Sequence, residues 1–109
     1  MIDYELALRI KIFKNIDLYR RDKETFNALV QADNTITDID LEFLISANYF
    51  LKQALSLISE YNRRFKNPEI KYRELSLISD AENIDAILNT EKEVLNKKLN
   101  KKQLLEYSV

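Results

Sequence analysis

Acidic residues between Asp33 and Glu42 form the pattern in this sequence that comes closest to a metal site. Asp38, Asp40 and Glu42 alternate with apolar residues, and Asp33 lies upstream of them. An EF-hand loop requires glycine at its sixth position and glutamate at its twelfth, but counting from Asp33 gives Asp38 and Leu44. Helix caps and first-turn carboxylates explain the run without a metal. The sequence therefore predicts no metal site here.

Histidine, cysteine and glycine are all absent from the chain. Histidine is the commonest general base and transition-metal ligand, and cysteine supplies the thiolate nucleophile. Without them, zinc sites, Cys-His catalysis and Ser-His-Asp triads cannot form within this chain alone. Glycine-rich phosphate-binding loops are excluded as well. We therefore expect a protein that is not an enzyme, with no cofactor and no small-molecule substrate.

Residues 61–73 interleave basic and aromatic side chains, as proteins that bind single-stranded nucleic acid do. The candidate phosphate or nucleic-acid contacts are Arg63, Arg64, Lys66, Lys71 and Arg73. Tyr61, Phe65 and Tyr72 lie among them, and a bundle would bring Arg9 and Lys11 to the same end. Basic residues at a helix end also complement the helix dipole, and the net charge of the chain is −1. Nucleic-acid binding is therefore the second hypothesis rather than the first.

The elements that must position these residues are predicted to be long helices, because the 109 residues contain no glycine and one proline, Pro68. The fold class is all-α, and the expected architecture is an antiparallel bundle of three long helices in a single domain, residues 1–109. The apolar run at residues 43–51 is too short to cross a bilayer. The N-terminus lacks the pattern of a signal peptide, so we expect a cytoplasmic protein that does not bind membranes.

The first helix is predicted over residues 3–32, with an apolar face that includes Leu8, Ile12 and Ile16. Charged residues 20–24 interrupt this face and offer a second interpretation, a kink capped by Asp22. We favour a continuous helix. Residues 33–37 form the clearest break, because their side chains are typical of turns and caps.

The second helix is predicted over residues 38–66, capped by Thr35 or Thr37 and ending before Pro68. Its main apolar face consists of Ile39, Phe43, Ala47, Phe50, Ala54, Leu57, Ile58, Tyr61 and Phe65. The leucines at positions 44, 51 and 55 widen this face. The pattern is typical of a core helix.

A second row on the same helix lies opposite its main face and consists of Leu41, Ile45, Tyr49 and Lys52. We call these four residues the outer row. A helix that is apolar on two sides is either packed between two helices of its own chain or exposes a surface for a partner. The outer row is therefore the candidate protein interface.

The chain after Pro68 allows several interpretations. Residues 69–79 fit either a short helix or an irregular crossing. Ser79 and Glu82 have the spacing of a capping box, which predicts a helix start at Ser79. Thr90 and Glu93 repeat that spacing and would place a break near Asn89, giving four or five helices in total. The apolar stripe here is narrow and consists of Ile84, Ile87, Leu88, Val94, Leu95 and Leu99. Leu104, Leu105, Tyr107 and Val109 form a terminal cluster that needs a place to dock.

Together these patterns predict a non-catalytic helical protein that acts through protein–protein contact, as an adaptor, inhibitor or assembly factor. The partner is either a second copy, giving a homo-oligomer, or a larger target. Richness in Asn, Ile and Lys favours an AT-rich source such as a phage or mobile element. The narrow stripe of the last helix and the terminal apolar cluster both favour a partner on the outer row.

Overall fold

The computed structural model describes the backbone of residues 3–107 and the side chains of residues 3–94. Within this range the chain forms three α-helices: α1 (Tyr4–Asp33), α2 (Asp38–Arg64) and α3 (Pro68–Tyr107). The prediction of an all-α bundle of three long helices is confirmed. The terminal cluster proposed from the sequence lies outside the described side chains.

The first two helices begin at side chains that cap them. The Asp3 carboxylate accepts a hydrogen bond from the Leu6 backbone N–H at 2.7 Å. At the start of α2, Thr37 Oγ1 accepts from the Asp40 backbone N–H, and the Asp40 carboxylate accepts from the Thr37 backbone N–H. Thr37, one of the two expected caps, therefore begins α2 with a reciprocal capping box.

The turn after α1 requires the conformation that glycine usually supplies. Asn34 caps α1 with a φ of 55°, in the left-handed region, and its backbone N–H bonds the Val30 carbonyl at 2.9 Å. Asparagine tolerates this region better than most side chains. The chain thus enters the left-handed region at this turn without glycine.

The predicted continuity of α1 is confirmed, because residues 20–24 lie within the helix. Asp22 is buried at this point and caps nothing. Its Oδ2 accepts a hydrogen bond from Ser46 Oγ of α2 at 2.6 Å. The charged run therefore marks a polar contact between helices rather than a kink.

The helix start predicted at Ser79 is wrong, since α3 runs from Pro68 through Tyr107. Asn67 provides the actual cap, with its side-chain carbonyl accepting from the backbone N–H groups of Glu69 and Ile70. The alternative interpretation, a break near Asn89, is also wrong, because α3 is continuous there. Thr90 instead donates its hydroxyl to the Ala86 carbonyl one turn earlier, at 2.9 Å, as a threonine within a helix does.

The hydrophobic core lies along the centre of the bundle, and each helix contributes to it. The core residues are Leu8, Ile12, Ile16, Tyr19 and Phe26 of α1, Leu44, Ala47, Leu51, Ala54, Ile58 and Tyr61 of α2, and Ile70, Leu77, Ala81 and Ile84 of α3. The predicted core position of Ile39 is wrong, because 64% of this residue is exposed. Leu44 and Leu51, which were expected to widen the apolar face of α2 at its margin, are fully buried at the centre of that face.

Polar contacts between the helices define their directions. The Tyr61 hydroxyl donates to the Glu5 carboxylate at 3.0 Å, so the end of α2 lies beside the start of α1. Asn62 donates to the Glu74 carboxylate at 3.2 Å, which places the same end of α2 beside the start of α3. Successive helices are therefore antiparallel, and α1 and α3 are parallel. The backbone of α2 approaches both neighbours, whereas α1 and α3 meet through long side chains.

Candidate protein-binding groove

The outer row of α2 borders α3 and remains largely open to solvent. Ile45 is 57% exposed and Tyr49 is 60% exposed, while Leu41 is half-buried. The Lys52 ammonium lies 3.1 Å from a carboxylate oxygen of Asp85 on α3. The interpretation in which two helices of the same chain enclose the row therefore does not hold for Ile45 and Tyr49.

A groove continues from the outer row around the start of α2. Its volume is about 400 Å³, and its walls come from α2, from α3 and from the loop before α2. It is lined by Ile36, Asp38, Leu41, Ile45, Leu88, Glu91, Lys92 and Val94. We call this site the α2–α3 groove. Most of its lining is aliphatic, which suits an apolar side chain of a partner better than a polar metabolite.

The charged residues of the α2–α3 groove stand at its edge, because Asp38 and Lys92 are exposed and Glu91 is half-buried. Glu42, which is also exposed, follows Asp38 by one helical turn. Two carboxylates and one ammonium group therefore belong to the groove itself, and the Glu42 carboxylate is a third acidic group one helical turn along α2 from Asp38. Such an edge favours a ligand with positive charge beside its apolar residues.

A larger open depression, of about 660 Å³, lies along α1 alone. Its apolar residues are Leu6, Ile10, Phe13 and Leu18, and Ile10 is 51% exposed. A depression lined by one helix lacks opposed walls that could hold a ligand on two sides. The α2–α3 groove, which has walls from three parts of the chain, is the better candidate for a binding site.

The predicted basic and aromatic site is only partly available for a ligand. Tyr61 is buried, and the Phe65 ring packs against the rings of Tyr61 and Tyr4. The Arg64 guanidinium lies 4.9 Å from the centre of the Tyr4 ring. Tyr72, in contrast, is 75% exposed. Tyr61 and Phe65 therefore serve packing, and Tyr72 remains as the exposed ring of this basic and aromatic set.

The basic residues of this end divide in the same way. Arg73 lies over the Phe13 ring at 5.2 Å and pairs with Glu69 at 3.4 Å. Lys66 and Lys71 line a cleft of about 370 Å³ at the turn between α2 and α3. Arg63 is exposed on the last turn of α2. The expected single basic surface is thus divided between intramolecular contacts and solvent.

Tyr19 forms a polar link between α1 and α3 that the sequence did not indicate. Its hydroxyl donates to the Asp80 carboxylate at 3.0 Å beside a cavity of about 60 Å³. Burial, together with this carboxylate, raises the pKa of the Tyr19 hydroxyl above its ordinary value. The cavity is too small for a metabolite, so we interpret this contact as structural.

Other types of site receive little support from the described residues. No group of three or more carboxylate side chains among them is arranged to hold a metal ion. Within the same part of the chain, none of the helices has the length and apolar character needed to cross a bilayer. The chain gives no significant match to protein-family models, curated proteins or solved structures.

The sequence identified part of the α2–α3 groove but not its composition. Leu41 and Ile45 belong to the outer row, whereas Leu88 and Val94 were assigned only to a narrow stripe on the last helix. Ile36 was part of the expected loop. These residues come together because α2 and α3 pack antiparallel in one particular register, and no local pattern specifies that register.

Proposed function

We propose that this protein acts without catalysis, by binding a protein partner through the α2–α3 groove and the adjoining outer row. The observation that carries this proposal is the continuity between the exposed side chains of Ile45 and Tyr49 and a groove with walls from α2, α3 and a loop. The natural ligand of such a surface is an amphipathic helix, whose apolar residues enter the groove.

The free energy available from burying the exposed apolar side chains supports binding of a partner at this surface. Full burial of an aliphatic or aromatic side chain stabilises a complex by about 1.5–3 kcal/mol. Ile45, Tyr49 and Val94 each have at least 40% of their area exposed, and they lie on or beside one groove. Single exposed apolar residues are ordinary, but a group beside a groove marks an interaction site.

The test uses an affinity-tagged chain and identifies the proteins that co-purify with it, including untagged copies of the same chain. It is carried out with three forms of the tagged protein. These are the wild type, the double variant Ile45→Asp/Tyr49→Asp, and Leu75→Asp. Leu75 is a matched control, because it is 64% exposed but lies away from the groove on α3. We expect at least one protein to be retained by the wild type and the control and lost from the double variant.

Identical sets of co-purifying proteins for the double variant and Leu75→Asp would contradict the proposal. Circular dichroism of each variant checks that the helices remain folded. Because Ile45 and Tyr49 are mostly exposed, we expect both changes to alter the free energy of unfolding by less than about 1 kcal/mol.

A second candidate function, nucleic-acid binding, is favoured by one observation, the exposure of Tyr72 beside Lys71. An exposed ring next to an ammonium group can stack on a base while the amine contacts phosphate. Binding to a single-stranded oligonucleotide should then weaken steeply with salt and in Tyr72→Ala. Absence of binding at low salt would remove this candidate.

A further inference from the structure

Helix α3 is much longer than the helix against which it packs. α3 contains 40 residues and α2 contains 27, which correspond to about 60 Å and about 40 Å at 1.5 Å per residue. Asp38, the first residue of α2, lines the same groove as Glu91 and Val94 of α3. The helical segment 95–107 therefore continues about 20 Å beyond the start of α2.

The sequence of this segment continues the pattern of the bundle. Leu95 follows Leu88 by seven residues, and Leu99 follows Leu95 by four, so a helix places all three on one line. Lys98 and Lys102 lie next to that line. In all, residues 95–107 contain four lysines and a single acid, Glu106. Segment 95–107 is thus a helix with a leucine line and a strong positive charge.

The chemistry of this segment matches that of the α2–α3 groove. The groove presents Leu41, Ile45 and Val94 to an apolar ligand. Carboxylates at its edge, from Asp38 and Glu91, favour positive charge beside that ligand. The leucines and lysines of segment 95–107 supply both features from this chain's own sequence.

We propose that segment 95–107 of a second copy of this chain occupies the α2–α3 groove, and that the two copies exchange these segments reciprocally. The inference rests on the proposed function, since it names the partner of the same groove. Reciprocal exchange gives a closed two-fold dimer, the commonest form of homo-oligomer. Because it uses the groove twice, it doubles the buried area toward the ~1,200–2,000 Å² of a stable interface.

The geometry favours a second copy over the segment of the same chain. Val94 lines the groove, and α3 continues as a helix from this residue through Tyr107. To enter its own groove, segment 95–107 would have to reverse direction immediately after Val94. A helix cannot do so without a break, whereas the segment of a symmetry-related copy can approach from outside.

The experiment is a charge exchange in the full chain. In the edge variant, Glu42→Lys/Glu91→Lys makes the groove positive. In the segment variant, Lys98→Glu/Lys102→Glu makes segment 95–107 negative. Each variant alone sets like charges against each other at both contacts. Mixed in equal amounts, they restore opposite charges at both contacts. Analytical ultracentrifugation and light scattering measure the mass of each sample.

We expect the wild type to be a dimer, and we expect each variant alone to dimerise at least about tenfold more weakly. The equal mixture should recover the dimer. The control Glu24→Lys/Glu82→Lys changes the net charge as much as the edge variant does, at exposed positions outside the groove, and should remain a dimer. Recovery in the mixture also shows that both variants are folded.

A monomeric wild type at all concentrations tested, or variants that dimerise as well as the wild type, would overturn the inference. A mixture that fails to recover the dimer would overturn it as well. The proposed function is judged separately, by the proteins lost from Ile45→Asp/Tyr49→Asp. If the wild type is a monomer but still captures another protein through the groove, the inference is wrong and the proposed function stands.

Discussion

Asp22 shows how this bundle tolerates a charge inside its apolar face. Only 5% of the residue is exposed, and the Ser46 hydroxyl donates to its carboxylate at 2.6 Å. Ser46→Ala removes the donor and leaves the buried carboxylate less satisfied, so we expect the free energy of unfolding to fall by about 1–3 kcal/mol. Urea denaturation measures the change. The control Ser56→Ala, at an exposed position on the same helix as Ser46, should change the free energy of unfolding by less than about 0.5 kcal/mol. Equal effects of the two substitutions would contradict a stabilising hydrogen bond from Ser46 to Asp22.

Tyr19 should make the stability of the bundle sensitive to alkaline pH. Its folded-state pKa is raised above the value of 10.0 expected for an unfolded chain, so the neutral hydroxyl is favoured in the folded state. The resulting stabilisation is complete below pH 10 and decreases as the pH rises above 10, because the unfolded chain then releases the proton more readily. Tyr19→Phe should therefore lose less stability between pH 9 and pH 11 than the wild type in urea denaturation. The exposed Tyr72→Phe should follow the wild type; a Tyr19→Phe curve parallel to both would count against this account.

At the scale of the helices, the start of α2 depends on one of two neighbouring threonines. The Thr37 hydroxyl accepts from the Asp40 backbone N–H, while Thr35 is exposed before the helix. Thr37→Ala should lower the free energy of unfolding by about 1 kcal/mol, and Thr35→Ala should leave it nearly unchanged. Thermal and urea denaturation give both values. A larger loss from Thr35→Ala would show that the cap is assigned to the wrong residue.

The continuity of α3 can be tested at Ser79, where the sequence predicts a cap. In a helix interior, alanine is more stable than glycine by about 1 kcal/mol, whereas at an N-cap glycine is better than alanine. Because Ser79 lies inside α3 and is exposed, we expect Ser79→Ala to be more stable than Ser79→Gly. The opposite order in urea denaturation would indicate a helix start at this residue.

Helices α2 and α3 also show how much of the fold and of the candidate site could be predicted from the sequence. The break at residues 33–37 was predictable because caps and turns act through side chains that are adjacent along the chain. The spacing of Ser79 and Glu82 matched a capping box, but exposed serine and glutamate are also compatible with a helix interior. Ile39 was misassigned to the core because periodicity defines an apolar stripe, not the direction of the neighbouring helices. The α2–α3 groove depends on the register of two helices and could not be predicted.

At the scale of the whole molecule, α2 is the element on which the bundle depends. It packs closely against both neighbours, whereas α1 and α3 meet through contacts such as that of Arg73 with Phe13. The buried face of α2 contributes to the core, and the side that carries Ile45 and Tyr49 remains exposed to solvent beside α3. Helix α3 also has two parts: its first part completes the core, and its last part extends past the bundle.

This extension should be visible in solution scattering. The radius of gyration is 18.5 Å and the longest dimension is 69 Å, whereas a compact domain of this length has a radius of about 13 Å. We therefore expect small-angle X-ray scattering of the Glu42→Lys/Glu91→Lys variant, which should remain monomeric, to give a radius near 18–20 Å, allowing for side chains and hydration. The wild type at high concentration should give a larger radius and a longest dimension well above 69 Å. A value near 13 Å for the monomer would mean that segment 95–107 folds back on its own bundle, and the groove would then be filled from within the chain.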